Sequence, residues 1–145
     1  MIYTSLTKAA LLLSFEAHKD QVDKSGMPYV YHPFHLAESM KDEYTTVVAL
    51  LHDVVEDTDY TLEDLAEMGY PKEVVEALSC MTHDPDTPYM EYVAKIAENP
   101  IARAVKIADL LHNSDLTRLD EPDESAYKRV EKYKEALRIL TESEK

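Results

Sequence analysis

"LLHDVVEDTDYTLEDL" occupies residues 50–65, and its first half decides the fold. Read as a helix, it places His52 and Glu56 on one face and Asp53 and Asp57 on the neighbouring one, while Leu50, Leu51, Val54 and Val55 pack elsewhere. One imidazole and three carboxylates within six residues are costly beside so many apolar side chains unless something pairs with them. The same conflict recurs in "VKIADLLHN" (105–113). There Asp109 stands among Ile107, Ala108, Leu110 and Leu111, and Asn113 follows four residues later on the same face. A third candidate is His32 in "YVYHPFH" (29–35), just ahead of a helix. His32, His52, Asp53 and Asp109 together suit a divalent transition ion with positions left open for water, such as Mn²⁺, Fe²⁺ or Zn²⁺. The lack of Cys among these candidates argues against a closed structural zinc site. An open site fits catalysis, in which the ion acidifies water and holds a phosphoryl oxygen.

Working outward, the remaining sequence predicts helices on both sides. The 145 residues fit one domain, 1–145, able to bury roughly 68–70% of its unfolded surface. Only two Gly occur, and the seven Pro all fall where helices can begin or end, in a chain rich in Ala, Leu, Glu and Lys. That composition predicts an all-α bundle of roughly six to eight helices. The first helix is expected over Ser5–Asp20, and the second from Pro33 to near Lys41. The third covers Glu43–Glu56, and a short one starts at Thr61, with Asp64 completing a capping box, and ends at Gly69. Pro71 opens another, and "THDPDTP" (82–88) is a turn-rich loop before a helix that runs through Glu98. Ile101–Ser114 follows, and the last helix starts at Pro122 or Asp123 and reaches Thr141, with Val130, Tyr133, Leu137 and Leu140 on one side.

A formal net charge of −14 argues against DNA, RNA or an anionic membrane surface as a partner. A small anionic substrate would need a local positive site, which a bound ion can supply. Cys80, the lone cysteine, forms no intrachain disulfide and fits a reducing cytosol, so the expected location is cytoplasmic. No apolar run reaches the roughly 18 residues of a spanning helix. The start of the chain, with Leu6, Ala9, Ala10, Leu13 and Ala17 at helical spacing, reads as an amphipathic helix and not a signal peptide.

Three ordered stretches, "AHKDQVDKSGMPYVYHP" (17–33), "LLHDVVEDTDYTLEDL" (50–65) and "VKIADLLHN" (105–113), resemble the HD superfamily of metal-dependent phosphohydrolases. More narrowly, the chain is similar to the hydrolase domain of RelA/SpoT-type proteins and their small stand-alone relatives over about residues 6–120. The resemblance implies an HD-domain helical bundle with metal ligands His32, His52, Asp53 and Asp109 and Mn²⁺ as the usual ion. It implies that Glu56 and Asp57 position or deprotonate the attacking water, that Asn113 contacts the nucleotide sugar, and that Lys24 lies in the phosphate-side loop. The implied reaction removes pyrophosphate from the ribose 3′ position of guanosine polyphosphates. The chain departs from this family where Asp23 replaces an Arg that packs on guanine, where Leu110 replaces another Arg, at Asp115 and Leu116, where Arg-Thr is usual, and at Asp20, which replaces a Gly.

Blander readings stand beside these. Glu56 and Asp57 are also readable as solvated charges, although they are mildly unfavourable at a helix C-terminus. On pattern alone His18 and Lys24 read as exposed, with phosphate contact the alternative for Lys24. His35 reads as packing or a support for the ligands, His83 as a loop residue and His112 as a helix-surface residue. Tyr29 and Tyr31 either line a nucleotide pocket or pack. Arg103 and Lys106 either offset the site carboxylates or bind phosphate. A non-catalytic metal or nucleotide sensor, or a plain helical interaction module, is the alternative to an enzyme.

Overall fold

Helix α3 (Glu43–Asp57) is the axis of the computed structural model, which describes residues 1–142. Eight consecutive α3 residues, Thr45 to His52, are buried, so the helix has no solvent face through its middle. A helix buried all round must be enclosed by others. Here α1 (Ser5–His18), α2 (Tyr31–Glu38), α5 (Lys72–Met81) and α7 (Pro100–Asn113) surround it. The short α4 (Leu62–Glu67) packs on α5. On the far side α6 (Tyr89–Ala97) and α8 (Glu124–Glu142) cover α7, and a 3₁₀ turn at Leu116–Arg118 links α7 to α8. The fold is all-α, as expected. No helix among the described residues is long and apolar enough to cross a membrane.

The helix ends follow local chemistry. The Asp42 carboxylate accepts from Thr45 N at 2.8 Å and starts α3. Thr61 and Asp64 form the predicted capping box of α4, and Gly69, at φ +98°, supplies the left-handed residue that ends it. Asn99 caps α7, whose first residue is Pro100. At the other end of α3, both Thr58 N and Thr58 Oγ1 donate to Val54 O, which stops the helix just past Asp57.

Two local features differ from expectation. The turn at Pro28–Tyr29 starts α2 two residues before Pro33, because Tyr31 N donates to Pro28 O and His32 N to Tyr29 O. His32 therefore stands in a helical first turn and not in the preceding loop. The loop itself folds back on itself, with an isolated antiparallel bridge between Val22 and Pro28 and Gly26 at φ +80°. On α8, Ala126, Ala136 and Leu140 are the fully buried residues, while Val130, Tyr133 and Leu137 are half-buried. The small Ala side chains let α8 approach α6 and α7 closely.

Because α3 carries part of the site, its cap has a measurable effect. Asp42→Ala is expected to destabilise the protein by about 1 kcal/mol in denaturant unfolding, and Asp42→Asn to stay close to the parent.

Candidate metal centre and substrate cleft

Three buried side chains meet from three helices: His32 from α2, His52 from α3 and Asp109 from α7. One donor atom of each lies within 4.8 Å of the others. Asp109 Oδ1 is 2.8 Å from His32 Nε2 and 3.4 Å from His52 Nε2. Asp53 joins from the α3 side, with Oδ2 3.0 Å from His52 Nε2 and 3.9 Å from His32 Nε2. The four residues expected to act together are thus adjacent.

His52 has a fixed orientation. Its Nδ1 lies 2.7 Å from Ala49 O, and a carbonyl can only accept, so Nδ1 carries the hydrogen. Nε2 then points into the cluster. It is fully buried and makes no well-formed hydrogen bond, despite the nearby carboxylate oxygens. A buried lone pair facing two carboxylates calls for a cation, and two imidazole nitrogens with carboxylate oxygens are a donor set suited to a divalent transition ion. In the absence of an ion, a proton fills that need. Burial opposes it, but Asp53 and Asp109 raise the His52 imidazole well above its ordinary 6.5. Burial likewise works against the Asp53 carboxylate, and His52 overcomes it and holds Asp53 at about 2. Asp109 is kept well below the ordinary range against burial, first by the adjacent Lys106 and then by His32 and His52.

Two supporting side chains, His18 and His112, escaped the sequence reading. His112 is half-buried, and its Nδ1 lies 2.7 Å from His32 Nδ1, so it orients a cluster residue and is not a free surface group. Burial and then Arg118 push His112 down to about 4, so it faces His32 as a neutral ring. His35 stacks on His112 with ring centroids 4.1 Å apart, which places it behind the site. His18 is buried at 1% exposure against Tyr29 and not exposed as its pattern implied, because the last turn of α1 packs on the loop that carries Tyr29. Tyr29 donates its hydroxyl to Asp53 Oδ2 at 2.5 Å, whereas Tyr31 points outward and is 57% exposed. Arg103 donates to Ala97 O, away from the site, and Lys106 alone of that pair reaches the carboxylates. The i, i+3 spacing of Lys106 and Asp109 was legible; the burial that gives the pair its weight was not.

Glu56 and Asp57 flank the cluster at the exposed end of α3. Glu56 Oε1 accepts the backbone N–H of His83 at 2.8 Å, so loop residue His83 holds one of the two carboxylates. Burial and then Asp53 raise the Asp57 carboxyl above its ordinary value, and burial raises Glu56 despite the His83 hydrogen bond. A cleft of about 330 Å³ opens on the other side of His32 and is lined by Lys24, Ser25, Tyr29, Asn113, Arg118, Arg129 and Tyr133. Asp23 and Asp115 also line it, so its three cations outnumber its carboxylates by one, in a chain of net charge −14. Asn113 Nδ2 donates to Asp109 Oδ1 at 3.1 Å, linking the cleft wall to the cluster. Arg129 and Tyr133 are four apart on α8, a spacing that could have revealed a shared face. Arg118 carried no such signal.

Mouse MESH1, a guanosine-3′,5′-bis(diphosphate) 3′-pyrophosphohydrolase, is 36% identical over 92% of this chain and 85% of its own length. The chain belongs to this hydrolase family. A probable GTP pyrophosphokinase of Mycobacterium leprae is 33% identical over 94% of this chain, which spans only 18% of that much longer protein. The solved structure of a metazoan ortholog of SpoT that hydrolyses ppGpp matches with a TM-score of 0.74 at 25% identity, covering 99% of this chain and 87% of that one. No family model matches the chain.

The departures from the hydrolase family pattern have local structural roles. Asp23 Oδ1 accepts from Ser25 N and Met27 N and so shapes the cleft loop, while its other oxygen lies 3.9 Å from Arg118. Leu110 is buried in the core at 1% exposure. Asp115 caps the 3₁₀ turn that contains Leu116, accepting from Thr117 N.

The cluster makes stability depend on pH. A raised His52 stabilises the metal-free fold fully below 6.5, and that contribution is lost as pH rises through its elevated value. A depressed Asp53 stabilises above 3.8, and that contribution is lost as pH falls toward about 2. Calorimetry of the chelator-treated protein should therefore show a melting temperature that falls on the alkaline side, and His52→Gln should flatten that slope.

Proposed function

We propose that the chain is a single-domain, metal-dependent phosphohydrolase that removes pyrophosphate from the 3′ position of guanosine polyphosphates. The observation that carries this reading is the meeting of His32 Nε2, His52 Nε2 and Asp109 Oδ1 within one small buried volume. Its support from outside the chain is the activity for which mouse MESH1 is named, a protein to which the chain is 36% identical. In this reading His32, His52, Asp53 and Asp109 hold one divalent ion, Mn²⁺ in preference to Fe²⁺ or Zn²⁺. The bound ion supplies Lewis acidity toward water and phosphoryl oxygen.

The protein residues do the rest. Glu56 and Asp57 orient the attacking water, and one of them takes its proton, which their raised affinities suit. The water oxygen bonds to phosphorus, the bond from phosphorus to the ribose 3′ oxygen breaks, and that oxygen leaves with a proton. Asn113 contacts the ribose, Lys24 the phosphates, and Arg118 and Arg129 add positive charge to the same cleft. His112 and Tyr29 keep His32 and Asp53 in register through hydrogen bonds. The free thiol of Cys80 fits an enzyme of the reducing cytoplasm.

Release of pyrophosphate from guanosine tetraphosphate, with Mn²⁺ and with chelator, tests the reading against a panel of ordinary nucleotides. Hydrolysis is expected with Mn²⁺ only. Absence of pyrophosphate or phosphate release from every nucleotide, in a protein that still binds Mn²⁺, would favour a sensor. Asp109→Ala should lose the metal by elemental analysis. Glu56→Gln should keep it and lower kcat by about 10²–10⁴-fold.

A further inference from the structure

Asp109 has two oxygens, and they face different partners. Oδ1 looks into the cluster, toward His32 Nε2, His52 Nε2 and Asn113 Nδ2. Oδ2 is 3.0 Å from the ammonium of Lys106, one helical turn earlier on α7. The Lys106 side chain is only 13% exposed and passes over the Tyr92 ring, its nitrogen 5.5 Å from the ring centroid. It is not among the residues that line the cleft beside His32. Its ion pair is with Asp109, and its charge also reaches Glu56, whose carboxyl it lowers, so it acts through these carboxylates.

Resting on the hydrolase reading, we propose that Lys106 is a positioning residue that keeps Asp109 a one-oxygen donor and so keeps a place at the ion open for chemistry. An ion of the proposed kind takes about six donors. One atom each from His32, His52, Asp53 and Asp109 leaves two places, enough for water and a phosphoryl oxygen together. A second oxygen from Asp109 would take one of them. A neutral partner at Oδ2 would yield to a divalent cation more readily than an ammonium ion, which is bonded and charged. Tyr92 fixes Lys106 in turn. Its hydroxyl donates to Met81 O at 2.6 Å, and its ring stacks on His83, whose N–H holds Glu56. Lys106 and one of the two carboxylates proposed to orient the water are therefore braced by one aromatic pair.

The test uses Lys106→Met, which removes donor and charge at similar volume, and Lys106→Gln, which keeps a donor without charge. Mn²⁺ alone is the probe, with its Kd from calorimetry and its accessible water from water-proton relaxation. Lys106→Met is expected to bind Mn²⁺ as tightly as the parent or more so and to lose about half of the relaxation enhancement. Its kcat on guanosine tetraphosphate should fall by about 10–100-fold, with KM within about 3-fold. Lys106→Gln should recover part of the relaxation. Unchanged relaxation and kcat in Lys106→Met overturn the proposal, as does loss of Mn²⁺ in proportion to activity in both variants. The relaxation measurement needs no substrate. A parent protein that binds Mn²⁺ but cleaves no nucleotide would sink the hydrolase reading and leave the Lys106 experiment decisive.

Discussion

The carboxylate of Asp109 is buried where α7 crosses α3, and its charge has to be balanced there. An uncompensated carboxylate at that depth would cost several kcal/mol. The balance comes from Lys106 on one oxygen and from His32, His52 and Asn113 on the other. His32 and His52 arrive on α2 and α3, whereas Lys106 and Asn113 stand one turn before and after Asp109 on α7 itself, so half of the balance depends on the bundle closing. The core packing of α3 and the geometry of the cluster are one constraint, because His52 continues the run of buried apolar residues from Val47 to Leu51.

Charge is also distributed unevenly over the rest of the protein. The surface is strongly acidic, yet Lys24, Arg118 and Arg129 gather around one cleft. The cleft wall is built from segments far apart in sequence. Ser25 Oγ donates to Arg118 O at 2.6 Å, and Asp23 faces the Arg118 guanidinium, which joins the 23–27 loop to the turn after α7. Arg118 also donates to His112 O and Asn113 Oδ1 and so closes the C-terminal end of α7. A single guanidinium thus lends charge to the cleft and stability to the helix end that carries Asn113.

Two of the places where the chain departs from the RelA/SpoT pattern, Asp23 and Asp115, line this cleft, and none is a residue of the cluster. Asp23 satisfies two loop N–H groups, and Asp115 caps a 3₁₀ turn. Both substitutions trade a long cation for a short turn-forming acid. Much of the positive charge on that side of the cleft then falls to Arg118. The family relationship spans most of mouse MESH1 but only a small part of the Mycobacterium leprae protein.

Helical periodicity, Pro and Gly placement and capping residues determined the element order, because these are local effects read within a few residues of one another. The same locality made His52, Asp53 and Asp109 visible, since a charged residue inside an apolar helix conflicts with its neighbours whatever the fold. What only the tertiary structure decided were the roles of groups whose partners lie far off along the chain. His18 became a buried support and His112 a half-buried one, Tyr29 met Asp53 and Arg118 closed the cleft, through contacts such as His32 with His112 that span 80 positions. Of Arg103 and Lys106, both cationic and one turn apart, only one reached Asp109, because helix rotation sets which side of α7 is buried. Sequence shows which side chains need a partner, and packing chooses it.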